Sequence, residues 1–208
     1  MIGLSNTDTL IIHQKKEWGE LLLGVEGANK YSVCDGSGQE LYCAVEGGGC
    51  FPIRWFLKAS RPFVIRVLDL KGNTLLTFER PFFCLFSKLF VYDGNGTYLG
   101  MVQRRFAIFS RYYSIYDASG SEYCQIISPL FHPWTFNIHR EGEQWGKITK
   151  EWSGLLTEIF TDADSFGATF PLDWHDHIKS ILLGAVFLID FVHFEDRRKR
   201  KKKDSDND

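Results

Sequence analysis

The stretch Ile181-Leu182-Leu183-Gly184-Ala185-Val186-Phe187-Leu188-Ile189 is apolar on every face of a helix. A surface helix cannot carry such a run, because one of its sides must meet water. The segment has to be enclosed, by lipid or by the rest of the chain, and length decides between them. From Ile181 to Phe194 there are 14 residues, interrupted by Asp190 and His193. At ~1.5 Å per residue they cover about 21 Å, short of the ~30 Å of a bilayer core. A buried helix spanning about 174–195 is therefore expected, and the remaining sequence must supply what surrounds it.

That remainder repeats one pattern: a short run of alternating apolar residues, a tight turn with Gly and usually Asp, then a second run. It occurs around Asp35-Gly36-Ser37-Gly38, Asp69 to Gly72, Asp93-Gly94, Asp117 to Gly120 and His139 to Gly142. Each reads as a β-hairpin by turn chemistry and period-2 spacing. With the opening segment Thr9 to Val25 these hairpins make roughly a dozen strands, which one chain closes into a barrel to remove its edges. A barrel of that size is wide enough to hold a helix at its centre. The fold class is mostly β, with residues 1–195 as one domain and 196–208 as a basic, disordered tail.

Composition narrows the setting. Residues Met1 to Asp8 show neither a basic region before an apolar run nor a Gly after Met1, so no secretory leader or myristoyl signal is expected. Cys34, Cys43, Cys50, Cys84 and Cys124 are odd in number and lack C-x-x-C spacing, as expected of reduced, mostly buried thiols. Net charge is −2, yet seven of the 24 lysines and arginines form the run Arg197-Arg198-Lys199-Arg200-Lys201-Lys202-Lys203. The body is acidic and its tail basic. No H-E-x-x-H, G-x-S-x-G or Walker pattern occurs, which leaves hydrolase and nucleotide chemistry without support.

Several constellations each carry two readings. Asp162, Asp164 and Asp173 fall at positions 1, 3 and 12 of a partial EF-hand pattern with Gly167 at the sharp turn, while Phe166 and Pro171 break it. Alternatively Asp173 caps the last helix, Asp176 sits in its first turn, and the other two are turn residues. Arg197 to Lys203 can contact anionic headgroups or act as an import signal, or be merely solvated. His175 and His177 read as surface histidines at a helix start. Arg104, Arg105 and Arg111 among Phe106, Phe109, Tyr112 and Tyr113 could face phosphates, but ordinary strand faces with inward aromatics are favoured.

The segments Gly146-Lys147-Ile148-Thr149-Lys150-Glu151-Trp152-Ser153-Gly154-Leu155, Phe160 to Asp173 and Leu183 to Phe191 closely resemble the phospholipid scramblase family. Further matches are Ala28 to Tyr31, Arg61-Pro62-Phe63 and Glu79-Arg80-Pro81-Phe82, so the resemblance runs from about Leu10 to Glu195. It implies a Tubby-like closed barrel around a hydrophobic C-terminal helix, and a calcium-responsive, ATP-independent translocator of phospholipids rather than an enzyme. It also implies a Ca²⁺ site, with Asp162, Asp164, Phe166, Ala168, Phe170 and Asp173 at the ligand positions. The expected partner is an anionic phospholipid membrane, met at its cytoplasmic face (the plasma membrane, and in some settings the nucleus) through Arg197, Arg198, Lys199, Arg200, Lys201, Lys202 and Lys203. Nucleic acid is not expected. The cysteine-rich acylation stretch of the family shrinks here to Cys84 as a candidate palmitoylation site, and the Pro-rich N-terminal extension of many animal members is missing. The import signal read in members at Gly146 to Leu155 has strand-like spacing here and is expected to be folded. The alternative function is a non-transporting phosphoinositide-binding or regulatory module that shuttles between membrane and nucleus.

Overall fold

The computed structural model describes residues 2–14, 29–47, 61–82, 86–129, 131–132, 134–150 and 165–194. Their strands are β1 (Thr9–Gln14), β2 (Lys30–Asp35), β3 (Glu40–Glu46), β4 (Phe63–Leu68), β5 (Thr74–Arg80) and β6 (Lys88–Asp93). They continue as β7 (Tyr98–Arg105), β8 (Ser110–Asp117), β9 (Glu122–Pro129), β10 (Thr135–Arg140), β11 (Glu143–Lys150) and β12 (Ser165–Thr169). One helix follows, α1 (Asp176–His193). Each strand pairs antiparallel with its sequence neighbour, and β1 closes the barrel by pairing with both β2 and β12.

The expected hairpins form for a local reason. In four turns, beginning at Asp35, Asp69, Asp93 and Asp117, the aspartate Oδ1 accepts backbone N–H groups two and four residues on. Glycine three residues after each Asp takes positive φ, from 83° to 89°, where a Cβ would be strained. In the third turn this residue is Gly96, so the signal read at Gly94 belongs two positions later. Alternation then fixes the faces: Leu89 and Val91 of β6 are buried, while Phe90 and Tyr92 are half-buried on the outside.

Helix α1 runs through the barrel. Residues Ile178 to Phe191 are all buried, and they join the inward side chains of the strands in one core. Phe187 meets Tyr31 edge-on at 5.1 Å, and Phe191 stacks on Phe63 at 4.1 Å. Gly184 marks a close approach to the wall, since a Cβ there would meet Leu89 Cδ2 at 2.8 Å. The enclosed helix expected from the apolar run is what the chain builds. It begins two residues later and ends two earlier than 174–195, because His175 is its extended N-cap and Phe194 its C-cap. Among the described residues no helix is long and apolar enough to cross a membrane.

The site segment departs from expectation. Residues 165–169, positions 4 to 8 of the calcium pattern, are strand β12 and pair on both edges, with β1 and β11. Gly167, expected at a sharp turn, lies opposite Ile11 and Thr149 in extended backbone. Asp173 does not cap the helix either; it is exposed, and the N-cap falls on His175.

Candidate functional site

Because the strands alternate in direction, all tight Asp turns lie at one end of the barrel, together with the start of α1. The β7–β8 loop and the end of α1 lie at the other. The two mouths differ in chemistry.

The turn mouth is closed by the N-terminal segment. Ile2 and Leu4 are buried there, and the Asp176 carboxylate accepts from the Leu4 N–H at 3.3 Å and the Ser5 hydroxyl at 3.1 Å. The Tyr42 hydroxyl donates to the Gly3 carbonyl at 3.0 Å. Lys179, in the first turn of α1, is fully buried, and its Nζ donates to the carbonyls of Leu4, Thr7 and Leu172 at 2.8–2.9 Å. Desolvation draws its pKa below the ordinary lysine value, with the carboxylates of Asp176, Asp173 and Asp8 opposing. Lys179 sits among Asp176, His177 and Ser180 in the sequence, and nothing there pointed to its burial or to its carbonyl partners.

The turn aspartates at this end stay ionised. Asn73 holds Asp69 below the carboxylate range, the Thr97 N–H does so for Asp93, and the Ser119 hydroxyl for Asp117. For Asp35, burial pulls upward, but the Ser37 hydroxyl and the neighbouring amides outweigh it. His175 and His177, both exposed, stack at 5.5 Å rather than splaying apart, because His175 precedes the helix. Burial lowers the His177 pKa, and His175 lowers it further.

The loop mouth gathers cations. Arg61 and Arg80 come from the repeated Arg-Pro-Phe segments and are both buried. Arg61 pairs with buried Glu46 at 2.5 Å and lies over the Phe191 ring at 4.5 Å. Arg80 donates to the Ser87 hydroxyl at 2.7 Å and to the Arg61 carbonyl at 3.3 Å. Lys150 sits over Phe166 and Phe194, and Arg111 over Phe136. The Tyr113 hydroxyl and His193 Nε2 are hydrogen-bonded at 2.7 Å, and burial holds the Tyr113 pKa well above the usual phenol value. Such charges tolerate burial only when paired, hydrogen-bonded or laid on aromatic faces. They link the end of α1 to β4, β5, β8, β10 and β11. The duplicated Arg-Pro-Phe was visible in the sequence, but its convergence was not.

Of the expected calcium ligands, Phe166, Ala168 and Phe170 are buried, and Asp173 is exposed beyond the strand. Asp162 and Asp164 lie outside the described residues. A strand rises ~3.3 Å per residue, so β12 separates its ends by more than ~13 Å. The contiguous twelve-residue loop does not fit this geometry. Among the described residues no group of three or more His, Cys, Asp or Glu could hold a metal ion. Cys84 and Arg197 to Lys203 also fall outside the described residues. Cys34, Cys43 and Cys124 are buried, as expected, and burial pushes the Cys124 pKa up to about 12. Gly146 to Lys150 belong to β11, so that part of the family segment is folded.

The aromatic patch is where the favoured reading fails. Tyr113 does point inward, but Phe106 and Phe109 project from the β7–β8 loop into solvent.

The family model described as Scramblase matches residues 2–196. The chain belongs to the scramblase family. Phospholipid scramblase 1 of Mus musculus is 35% identical over 206 residues, covering 92% of this chain and 62% of the relative. Phospholipid scramblase 2 of Bos taurus is 34% identical, covering 92% and 70%, and human phospholipid scramblase family member 5 is 34% identical, covering 92% and 76%. The chain thus spans about three fifths of the length of the mouse protein. No solved structure matches it. For this scramblase-family chain the match covers the whole barrel and its central helix, including both mouths.

Proposed function

We propose that this chain is a phospholipid scramblase module, which works on an anionic phospholipid membrane from its cytoplasmic face and moves lipids between leaflets without ATP. The observation that carries this reading is the family match across residues 2–196. The absence of a Walker pattern from the sequence supports ATP-independence. Packing limits how transport could occur: Ile181, Leu182, Ala185 and Leu188 fill the barrel axis at no more than 1% exposure, so no lumen is left for a headgroup. Lipids would have to cross along the outside of a bilayer-perturbing barrel rather than through it.

The same packing favours a second reading, a lipid-binding or regulatory module without transport that reaches the nucleus as well as the membrane. Calcium responsiveness enters through the resemblance, with Asp162 and Asp164 as the carboxylates the sequence offers; any ion would draw on ligands from more than one segment. The deciding experiment reconstitutes the full chain in vesicles carrying a fluorescent lipid and follows loss of leaflet asymmetry, with and without millimolar calcium and without nucleotide. Transport accelerated by calcium supports the scramblase reading, and vesicle binding without transport supports the second. A response to calcium that survives both Asp162→Ala and Asp164→Ala would remove those residues as ligands.

A further inference from the structure

We propose that the loop mouth of the barrel is its membrane-docking face, with the β7–β8 loop inserting as a shallow wedge into an anionic bilayer. The inference rests on the lipid-membrane reading above and adds to it an orientation and a set of residues.

The β7–β8 loop, Phe106-Ala107-Ile108-Phe109, is flanked by Arg104 and Arg105 at the end of β7 and by Arg111 at the start of β8. Phe106 is 74% exposed, Ile108 68% and Phe109 82%. Three large apolar side chains held in water on one short loop have no part in the core. A rim of arginines directly behind them is what an interfacial segment needs, since the apolar tips enter the acyl boundary while the guanidinium groups reach headgroup phosphates. The loop does not stand alone. Phe131, between β9 and β10, is 94% exposed, and Phe82, just after β5, is 47% exposed. Loops at one mouth recur every second strand, so these tips lie about 10 Å apart along one arc of the rim.

Charge agrees with this orientation. Lys88, Arg104, Arg105 and Arg111 lie at the same mouth, above the buried Arg61, Arg80 and Lys150. Its described acids are Glu46, paired with Arg61, Asp190, which is buried, and the exposed Glu79. The opposite mouth carries Asp35, Asp69, Asp93 and Asp117, all held ionised by their turns. An anionic surface therefore attracts one end and repels the other. Helix α1 ends at the attracting end.

The test is co-sedimentation of the full chain with vesicles of phosphatidylcholine containing phosphatidylserine, against pure phosphatidylcholine. Phe106→Ser with Phe109→Ser should lower binding about tenfold or more, as two ring surfaces return to water, and should leave the melting temperature unchanged. The deficit should persist in high salt, where the basic tail is screened. Leu70→Ser makes a like change at an exposed residue of the opposite mouth and should leave binding as it was. Arg104→Gln should weaken binding only at low salt. Unchanged vesicle binding by the double variant overturns the proposal, and so does an effect of that variant confined to self-association of the protein in solution. The same samples run in the lipid-transport assay separate the two readings. Transport that is indifferent to the double variant sinks the docking face and leaves the scramblase reading. Docking through this face without transport does the reverse.

Discussion

Lys179 is costly to place. Its ammonium is taken out of water without an ion pair to any carboxylate among the described residues, and four carbonyls at the turn mouth, those of Leu4, Ser5, Thr7 and Leu172, make up the loss. Lys179→Met keeps the volume but leaves those carbonyls without their donor. We expect it to destabilise the fold by about 2–4 kcal/mol in chemical denaturation. The pH dependence has a definite sign. The folded pKa is lowered from 10.5, so the native state releases this proton before the unfolded state does. Stability from this group therefore rises as pH climbs through the folded pKa towards 10.5. Buried Tyr113 acts in the opposite sense, since its raised pKa makes the fold lose stability above the ordinary phenol value of 10.0. The difference between wild type and Lys179→Met cancels the tyrosine and isolates the lysine. Melting temperatures across the alkaline range should show a rise in wild type relative to the variant.

At the scale of elements, α1 and β12 carry the argument. Gly184 faces Leu89, Val91 and Phe78 of the wall, and a Cβ alone would come within 2.8 Å of Leu89. Gly184→Leu should destabilise the barrel by about 1–3 kcal/mol, measured by thermal melting, whereas a helix facing lipid would accept the change. The helix was legible in the sequence because an apolar run with no polar face has few places to go. The hairpins were legible because Asp and Gly recur at turn spacing. Strand β12 was not. Its sequence, Ser165-Phe166-Gly167-Ala168-Thr169, looks like half of a loop until β1 and β11 pair with it on both sides. Pairing across a closed sheet outweighs the local preference of a glycine for a turn. The exposed loop Phe106 to Phe109 was misread for a related reason, because composition does not say on which side of a hairpin tip its aromatics emerge.

For the whole molecule, the barrel and its helix are one cooperative unit. Deleting residues 178–208 removes the centre of the core, and the product should be unfolded and aggregating rather than a soluble shell. Recovery of a folded barrel without detergent would contradict the enclosed helix. Deleting only 197–208 should leave the melting temperature unchanged, lower vesicle binding at low salt, and flatten its dependence on salt. If the shortened chain binds as well as the full one at low salt, the tail takes no part in attachment.

What the sequence determined by itself were the local and one-dimensional features: strand alternation, Asp-x-x-Gly turns, an apolar run too short to span a bilayer, and a basic tail behind an acidic body. These follow from side-chain periodicity and turn stereochemistry, which act over a few residues. Tertiary structure alone decided which distant residues meet. It brought Arg61, Arg80 and Lys150 around the end of α1, and placed Lys179 beneath the N-terminal segment. It also sorted the described residues between the two mouths, making one acidic and the other basic and aromatic. The reason is closure. Once β1 pairs with β12, every loop is committed to one end, and the charges that seemed scattered along the chain become an axis.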